Sequence, residues 1–280
     1  MIHDLSKYRL IICNIRALHI CLAFFLGGCQ TILGPSEEEK KEADIIRTQK
    51  SLMISFLNKG MPDIALKELK TLRRKYPKDP DFQNITGLAL LSIKTPKQAI
   101  GYFKKAYALD NRTPFILNLS SAFIEANQHK RALSTLFKIT KSEEFLSYEH
   151  PERVYHNIGL SSEKLKKYKI ATKYYKKALT RNPTFYISLM RLGQVYQKTQ
   201  KYKASRKYFT KAQNLCNTCY GPVSAIASTY ISENKSGKAI KVLRRYIKVK
   251  KVKKSDKLRA TKLMRMAGKI DNSSTKTSRF

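Results

Sequence analysis

Apolar residues recur at helical spacing from Ile46 to about residue 253, and the whole pattern repeats roughly every thirty-four residues. The clearest copy holds Tyr155, Ile158, Gly159, Ala171, Tyr175, Ala178 and Pro183. Leu189, Leu192, Gly193, Tyr196, Phe209 and Ala212 repeat it, and so do Val223, Ile226, Ala227, Tyr230, Ala239 and Leu243. Upstream, Gly87, Ala99, Phe103 and Ala106 form one unit, and Leu119, Ser120, Phe123, Ala132 and Leu136 another. The most degraded copy is the first, with Leu52, Phe56, Gly60, Ala65, Leu69 and Pro77. The spacing predicts six helical hairpins over 46–253, starting near residues 46, 80, 113, 152, 186 and 220.

The residue types follow from close helix crossing. Small residues sit where backbones touch, large ones fill the gaps, and proline stops the second helix. This is similar to the tetratricopeptide repeat signature, which implies an all-α fold, a right-handed α-solenoid of about six tetratricopeptide (TPR) hairpins. Ser255 or Asp256 can cap a further helix over 254–270, whose apolar positions Ala260, Leu263, Met264 and Ala267 would cover the last hairpin. Residues 271–280 are polar and basic and are expected to be disordered.

The N-terminus has a different pattern. Lys7, Arg9 and Arg16 precede an apolar run from Ala17 to Leu26, too short to span a bilayer but suited to a signal peptide over residues 1–28. Leu26-Gly27-Gly28-Cys29 resembles the lipobox of bacterial lipoproteins. The resemblance implies lipidation of Cys29, which would end up triacylated and permanently membrane-anchored. Gln30 is not the aspartate that retains such proteins in the inner membrane, so the implied address is the outer membrane, facing the periplasm. Residues 29–45 read as a tether, although Ser36 with Glu39 also fits a capping box opening the first helix.

One irregularity narrows the family. The third and fourth units start thirty-nine residues apart, the extra stretch lying in Glu144-Phe145-Leu146-Ser147-Tyr148-Glu149-His150-Pro151-Glu152-Arg153, followed by Val154-Tyr155-His156-Asn157-Ile158-Gly159-Leu160. This insertion and helix resemble the PilF/PilW/Tgl family, the outer-membrane pilotins of type IV pilus systems. The stretches 176–183 and 204–209 also fit, while Ile124 and Ser161 stand where some members have cysteine. Membership implies a role in localising or multimerising the pilus secretin. The implied partners are a secretin subunit or other envelope protein and, through acylated Cys29, outer-membrane lipid.

Composition changes the picture in one respect. The 280 residues hold 56 basic and 20 acidic side chains, a formal charge of +36, with 42% hydrophobic residues, 16 Tyr and 12 Phe. Losing Lys7, Arg9, Arg16 and Asp4 with a signal peptide leaves +34. Sixteen lysines and arginines lie between Lys238 and Arg279 against Asp256 and Asp271. Such charge attracts anions. In an exported protein these are envelope polymers, lipid headgroups or an acidic partner, and nucleic acid is not expected unless the N-terminus is no signal. A solvated lysine-rich face is the alternative.

Projecting the repeat onto the chain puts Asn84, Leu88 and Leu91 on the groove-facing side of the second unit. Leu117, Ser121 and Ile124 follow in the third, His156 and Leu160 in the fourth, and Met190 and Gln194 in the fifth. A semi-apolar groove suits an amphipathic or extended partner segment, though several of these residues could instead pack between hairpins. The Lys/Asn carboxylate clamp of chaperone-binding repeat proteins is not recognisable. Cys216 and Cys219 sit in one short loop. A local disulfide is the first reading, inert thiols the second and a metal site a distant third. Cys13 and Cys21 lie within the expected signal peptide. His3, His19, His129, His150 and His156 are scattered, and no catalytic arrangement or phosphate loop appears. The expectation is a non-enzyme without cofactors. Besides an assembly factor, a periplasmic scaffold for cell-wall enzymes fits the same features.

Overall fold

The computed structural model describes residues 35–277, with side chains described through Lys269. The expected signal peptide and Cys29 lie outside the described residues. Among the described residues there are fourteen helices and no strand. They are α1 (Glu37–Asn58), α2 (Pro62–Lys75), α3 (Pro80–Ser92), α4 (Pro96–Leu109), α5 (Thr113–Glu125), α6 (His129–Ile139) and α7 (Glu143–Leu146). Then come α8 (Pro151–Lys164), α9 (Tyr168–Arg181), α10 (Tyr186–Lys198), α11 (Tyr202–Leu215), α12 (Tyr220–Ser232), α13 (Ser236–Ile247) and α14 (Lys254–Thr277).

The chain divides into two compact units between Leu52 and Met53. The first holds the N-terminal part of α1. In the second, helices pair as antiparallel hairpins, α3 with α4, α5 with α6, α8 with α9, α10 with α11 and α12 with α13. Each second helix packs on the next first helix, α2 packs on α3, and α14 packs on α13. Consecutive first helices also touch one another, more closely than consecutive second helices do. The first helices therefore form the inner, concave layer of this unit and the second helices its outer, convex layer.

Helix starts are written locally. Pro62, Pro80, Pro96 and Pro151 open their helices at a position where no backbone donor is needed. Asp79 Oδ1 accepts from the backbone N–H of Asp81 at 2.9 Å and of Phe82 at 3.2 Å, capping α3. The turns out of the first helices are alike. Lys94, Asn127, Lys166, Gln200 and Asn234 all take φ near +57 to +58°, and Gly60 takes +72° at the corresponding turn after α1. The next amide then reaches back around the helix end, as from Thr95 N to Leu90 O and from Lys167 N to Ser162 O.

Large apolar side chains interleave between the layers. Phe82, Phe103, Leu136, Ile158, Tyr175, Leu192, Phe209 and Leu243 are fully enclosed, each worth about 1.5–3 kcal/mol of burial. Gly87 lies under the ring of Phe103 so closely that a Cβ there would stand 2.6 Å from Cε1.

Three expected boundaries differ. Helix α1 begins at Glu37, so residues 37–45 are helical and not tether. Ser36 N donates to Glu39 Oε2 at 2.7 Å and Glu39 N to Ser36 Oγ at 3.2 Å, and Glu37, Glu38 and Glu39 favour the helix dipole. Helix α14 begins at Lys254, which puts Ser255 and Asp256 inside its first turn and not at the cap. It runs to Thr277, so residues 271–277 are helical where disorder was expected. No proline interrupts this stretch, and Gly268 alone does not stop the helix. Ala260 and Ala267 are buried on α14, with Leu263 and Met264 packed against the cluster formed by Val223, Leu243 and Tyr246.

The insertion folds into α7 and a short connection. Phe145 is buried edge-on against Tyr155, and Glu144 Oε1 accepts from Thr113 N at 2.6 Å, capping the first turn of α5. The insertion is thus a strut between the third and fourth hairpins, with Leu146 left 86% exposed at its tip.

Candidate binding groove

The inner layer presents α3, α5, α8, α10 and α12. Neighbouring helices of this layer are joined by side-chain hydrogen bonds. Asn118 Nδ2 donates to Asn84 Oδ1 at 2.9 Å, and Asn157 Nδ2 to Ser121 Oγ at 3.1 Å. His156 Nδ1 lies 2.8 Å from Ser188 Oγ, and Lys198 Nζ donates to Glu163 Oε1 at 2.7 Å. These bonds cross from α3 to α5, from α5 to α8 and from α8 to α10, so the register of successive hairpins is fixed by polar contacts as well as by packing.

The projected groove residues separate into two groups. Asn84, Leu88, Leu91, Ser121, Leu160, Met190 and Gln194 are half-buried, each keeping part of its surface open. Leu88, Leu91 and Leu160 pack against the cluster built on Phe103, Phe123 and Leu90. Leu117, Ile124 and His156, by contrast, are buried. Leu117 packs with Ile116, Leu133 and Val154, and Ile124 belongs to the Phe103 cluster. These three support the groove from beneath, because their helical positions turn them toward the adjoining helix.

The most structured polar cluster lies between the fourth and fifth hairpins, and the repeat pattern did not single out most of it. Glu163 is only 4% exposed. Its Oε2 accepts from the Tyr175 hydroxyl at 2.9 Å, and its Oε1 from Lys198 Nζ, which reaches in from the surface. Burial and the neighbouring carboxylate push the Tyr175 phenol far above its ordinary range, so it remains a donor. His156 packs against the rings of Tyr175 and Phe185, at 5.5 and 5.6 Å between centroids. Its pKa is lowered to about 4, chiefly by burial and then by Arg191, against a smaller opposing pull from Glu163. At neutral pH the imidazole is uncharged, which suits a packing and hydrogen-bonding part. Glu163 stands seven residues after His156 on the same helical face, and that spacing was the available signal for it.

Cys216 and Cys219 are joined by a disulfide with Cα atoms 5.3 Å apart, linking the end of α11 to the start of α12. The Tyr246 hydroxyl donates to Thr218 O at 2.7 Å across the same turn. His129 opens α6, and His150 precedes α8, where its ring packs edge-on against Tyr148. Among the described residues no group of three or more His, Cys, Asp or Glu is placed to hold a metal ion. No described helix is long and apolar enough to cross a membrane.

Three stretches, residues 52–114, 152–185 and 186–219, match family models described as tetratricopeptide repeat. The type IV pilus assembly protein PilF of Pseudomonas aeruginosa is 27% identical over 169 residues, 59% of this chain. The chain spans 66% of that relative, just under two thirds of its length. The solved structure of Pseudomonas aeruginosa PilF aligns with a TM-score of 0.62 at 18% identity, covering 76% of this chain and 95% of that one. PilW, a widely conserved type IV pilus biogenesis factor, aligns with a TM-score of 0.67 at 13% identity, covering 78% of this chain and 98% of that one. At these identities the two structures establish the fold alone.

Proposed function

Starting from a chain that is a tetratricopeptide-repeat protein similar in sequence to a type IV pilus assembly protein, we propose that it is a lipid-anchored assembly factor for the pilus secretin. The observation that carries this reading is the 27% identity to PilF over 169 residues. The fold supports it in a more general way. An inner layer of half-buried leucines, amides and hydroxyls is a surface for an extended or amphipathic segment of another protein, with no step of covalent chemistry required. Cys29 is the lipid attachment point in this reading, with the outer membrane as the address and the periplasm as the compartment. The work done is binding and positioning, without catalysis.

The test is a deletion strain whose unboiled outer-membrane fraction is examined for heat-stable secretin multimers, beside a strain carrying Cys29→Ala. Loss of multimers on deletion, with monomer persisting or mislocalised, is the expected result. Failure of Cys29→Ala to restore them ties the role to the anchor. Normal multimers and normal pili in the deletion strain would overturn the reading.

A further inference from the structure

The two layers of the second unit differ sharply in charge. The five second helices α4, α6, α9, α11 and α13 contain nineteen lysines and arginines and no aspartate or glutamate. The five first helices they pair with contain four basic and four acidic residues. Within these ten helices the positive charge is therefore sorted onto the convex layer, while the groove layer carries no net charge. Among the described residues, Arg206 is the one member of the nineteen with a carboxylate partner, Glu233. The remaining cations repel one another; a few of them, such as Arg131 over Phe123 and Lys177 over Tyr174, lie against aromatic rings, which leaves the net charge of the layer unchanged.

We infer that this convex layer docks on an anionic phospholipid surface. The charges are spread over five successive helices and are exposed, as at Lys169, Lys173, Lys207 and Lys211. A broad convex array of this kind matches a planar sheet of mobile headgroup charges. Helices lifted from the plane by curvature still act across a Debye length of about 8 Å. Single-stranded nucleic acid calls for aromatic stacking platforms among the cations. Here the rings of Tyr102 and Tyr174 are covered by the protein's own cations, Arg73 at 4.8 Å and Lys177 at 5.4 Å from the ring centroids. Docking by the convex layer leaves the groove layer facing away from the bilayer and open to a partner. The inference concerns a surface separate from the groove, and it stands or falls independently of the secretin reading.

The test uses the full chain with Cys29→Ser in every protein, so that no acyl chain is present and all share one N-terminus. One variant carries Lys169→Gln, Lys173→Gln, Lys207→Gln and Lys211→Gln on the second helices. A control removes equal charge from exposed positions elsewhere, with Lys59→Gln, Lys78→Gln, Lys141→Gln and Lys164→Gln. Circular dichroism establishes that all three fold. Co-sedimentation is measured with phosphatidylcholine vesicles and with vesicles containing phosphatidylglycerol, at low and high salt, and beside binding to duplex DNA. The expected result is a salt-sensitive preference for phosphatidylglycerol in the parent and the control, weakened roughly tenfold or more in the second-helix variant. No preference for phosphatidylglycerol in the parent would overturn the inference. Equal loss in both variants would also overturn it, as would tighter binding to DNA than to the anionic vesicles.

Discussion

The ring of Tyr175 fills the space that a side chain on Gly159 would need: a Cβ built on Gly159 would stand 2.6 Å from Tyr175 Cδ1. Gly193 and Phe209 repeat the relationship at 2.4 Å. Where the small residue is larger than glycine, the residue sixteen positions later is smaller than an aromatic, as in Ser120 with Leu136 and Ala227 with Leu243. All four of those residues are buried. The five hairpins from α3 to α13 keep the summed volume at this crossing roughly constant, as close packing demands, whereas the corresponding pair in the first repeat, Met53 and Leu69, is larger.

Gly193→Ala should therefore destabilise the fifth hairpin, α10 with α11, by about 1–3 kcal/mol through overpacking. Adding Phe209→Leu should recover part of that loss, so the double variant is more stable than the sum of the single changes. Urea unfolding of the four proteins in the cycle checks this. Simple additivity would count against the volume-exchange explanation.

The left-handed turn residues give a second prediction. Gln200 holds φ of +57° without being glycine. Gln200→Gly should stabilise by roughly 0.5–1 kcal/mol, and Gln200→Val should destabilise by about 1–2 kcal/mol, because a branched Cβ is poorly tolerated there. Thermal midpoints of the two variants would show the opposite signs.

His156 makes stability depend on pH. Its pKa is about 4 in the fold, against the ordinary 6.5 of an exposed histidine. Between these values the unfolded chain binds a proton that the folded chain does not. Stability contributed by the neutral imidazole is thus present above about pH 6.5 and is lost as pH falls toward 4, by up to roughly 3 kcal/mol. His129, also lowered by burial and by Lys164, acts in the same direction. Unfolding midpoints measured from pH 7 down to pH 4 should fall less steeply in His156→Gln than in the parent.

Glu163 supplies a fourth test. Tyr175→Phe removes one of its two donors while leaving the ring in place. The expected cost is about 1.5–3 kcal/mol, the range for a hydrogen bond to a charged group. Local amide exchange should rise most in α8 and α9. An unchanged stability would mean that Lys198 alone satisfies the carboxylate.

Much of the fold was legible in the sequence because each hairpin carries its own rules. Gly159, Ala171, Tyr175, Ala178 and Pro183 mark one crossing and one stop, and no distant information is needed to place them. The start of α1 was legible too, in Ser36 and Glu39, but it competed with the reading of 29–45 as a tether. The groove was only partly readable. Whether Leu117, Ile124 and His156 face solvent or the next helix depends on the pitch between hairpins, which no single repeat encodes. The bridges from Asn118 to Asn84 and from Lys198 to Glu163 depend on that pitch as well. Charge sorting between the layers was present in the residues, but it becomes visible only once second helices are grouped together.

The central claim, that the inner layer binds the secretin, is tested most directly by site-specific photocrosslinking in cells. A benzophenone side chain placed at Leu160 or at Gln194, both half-buried on the inner layer, should yield adducts with the secretin subunit. The same group at Lys173 on the convex layer should yield none. Secretin adducts from Lys173 alone, or no secretin adduct from either inner position in cells that assemble multimers, would contradict it.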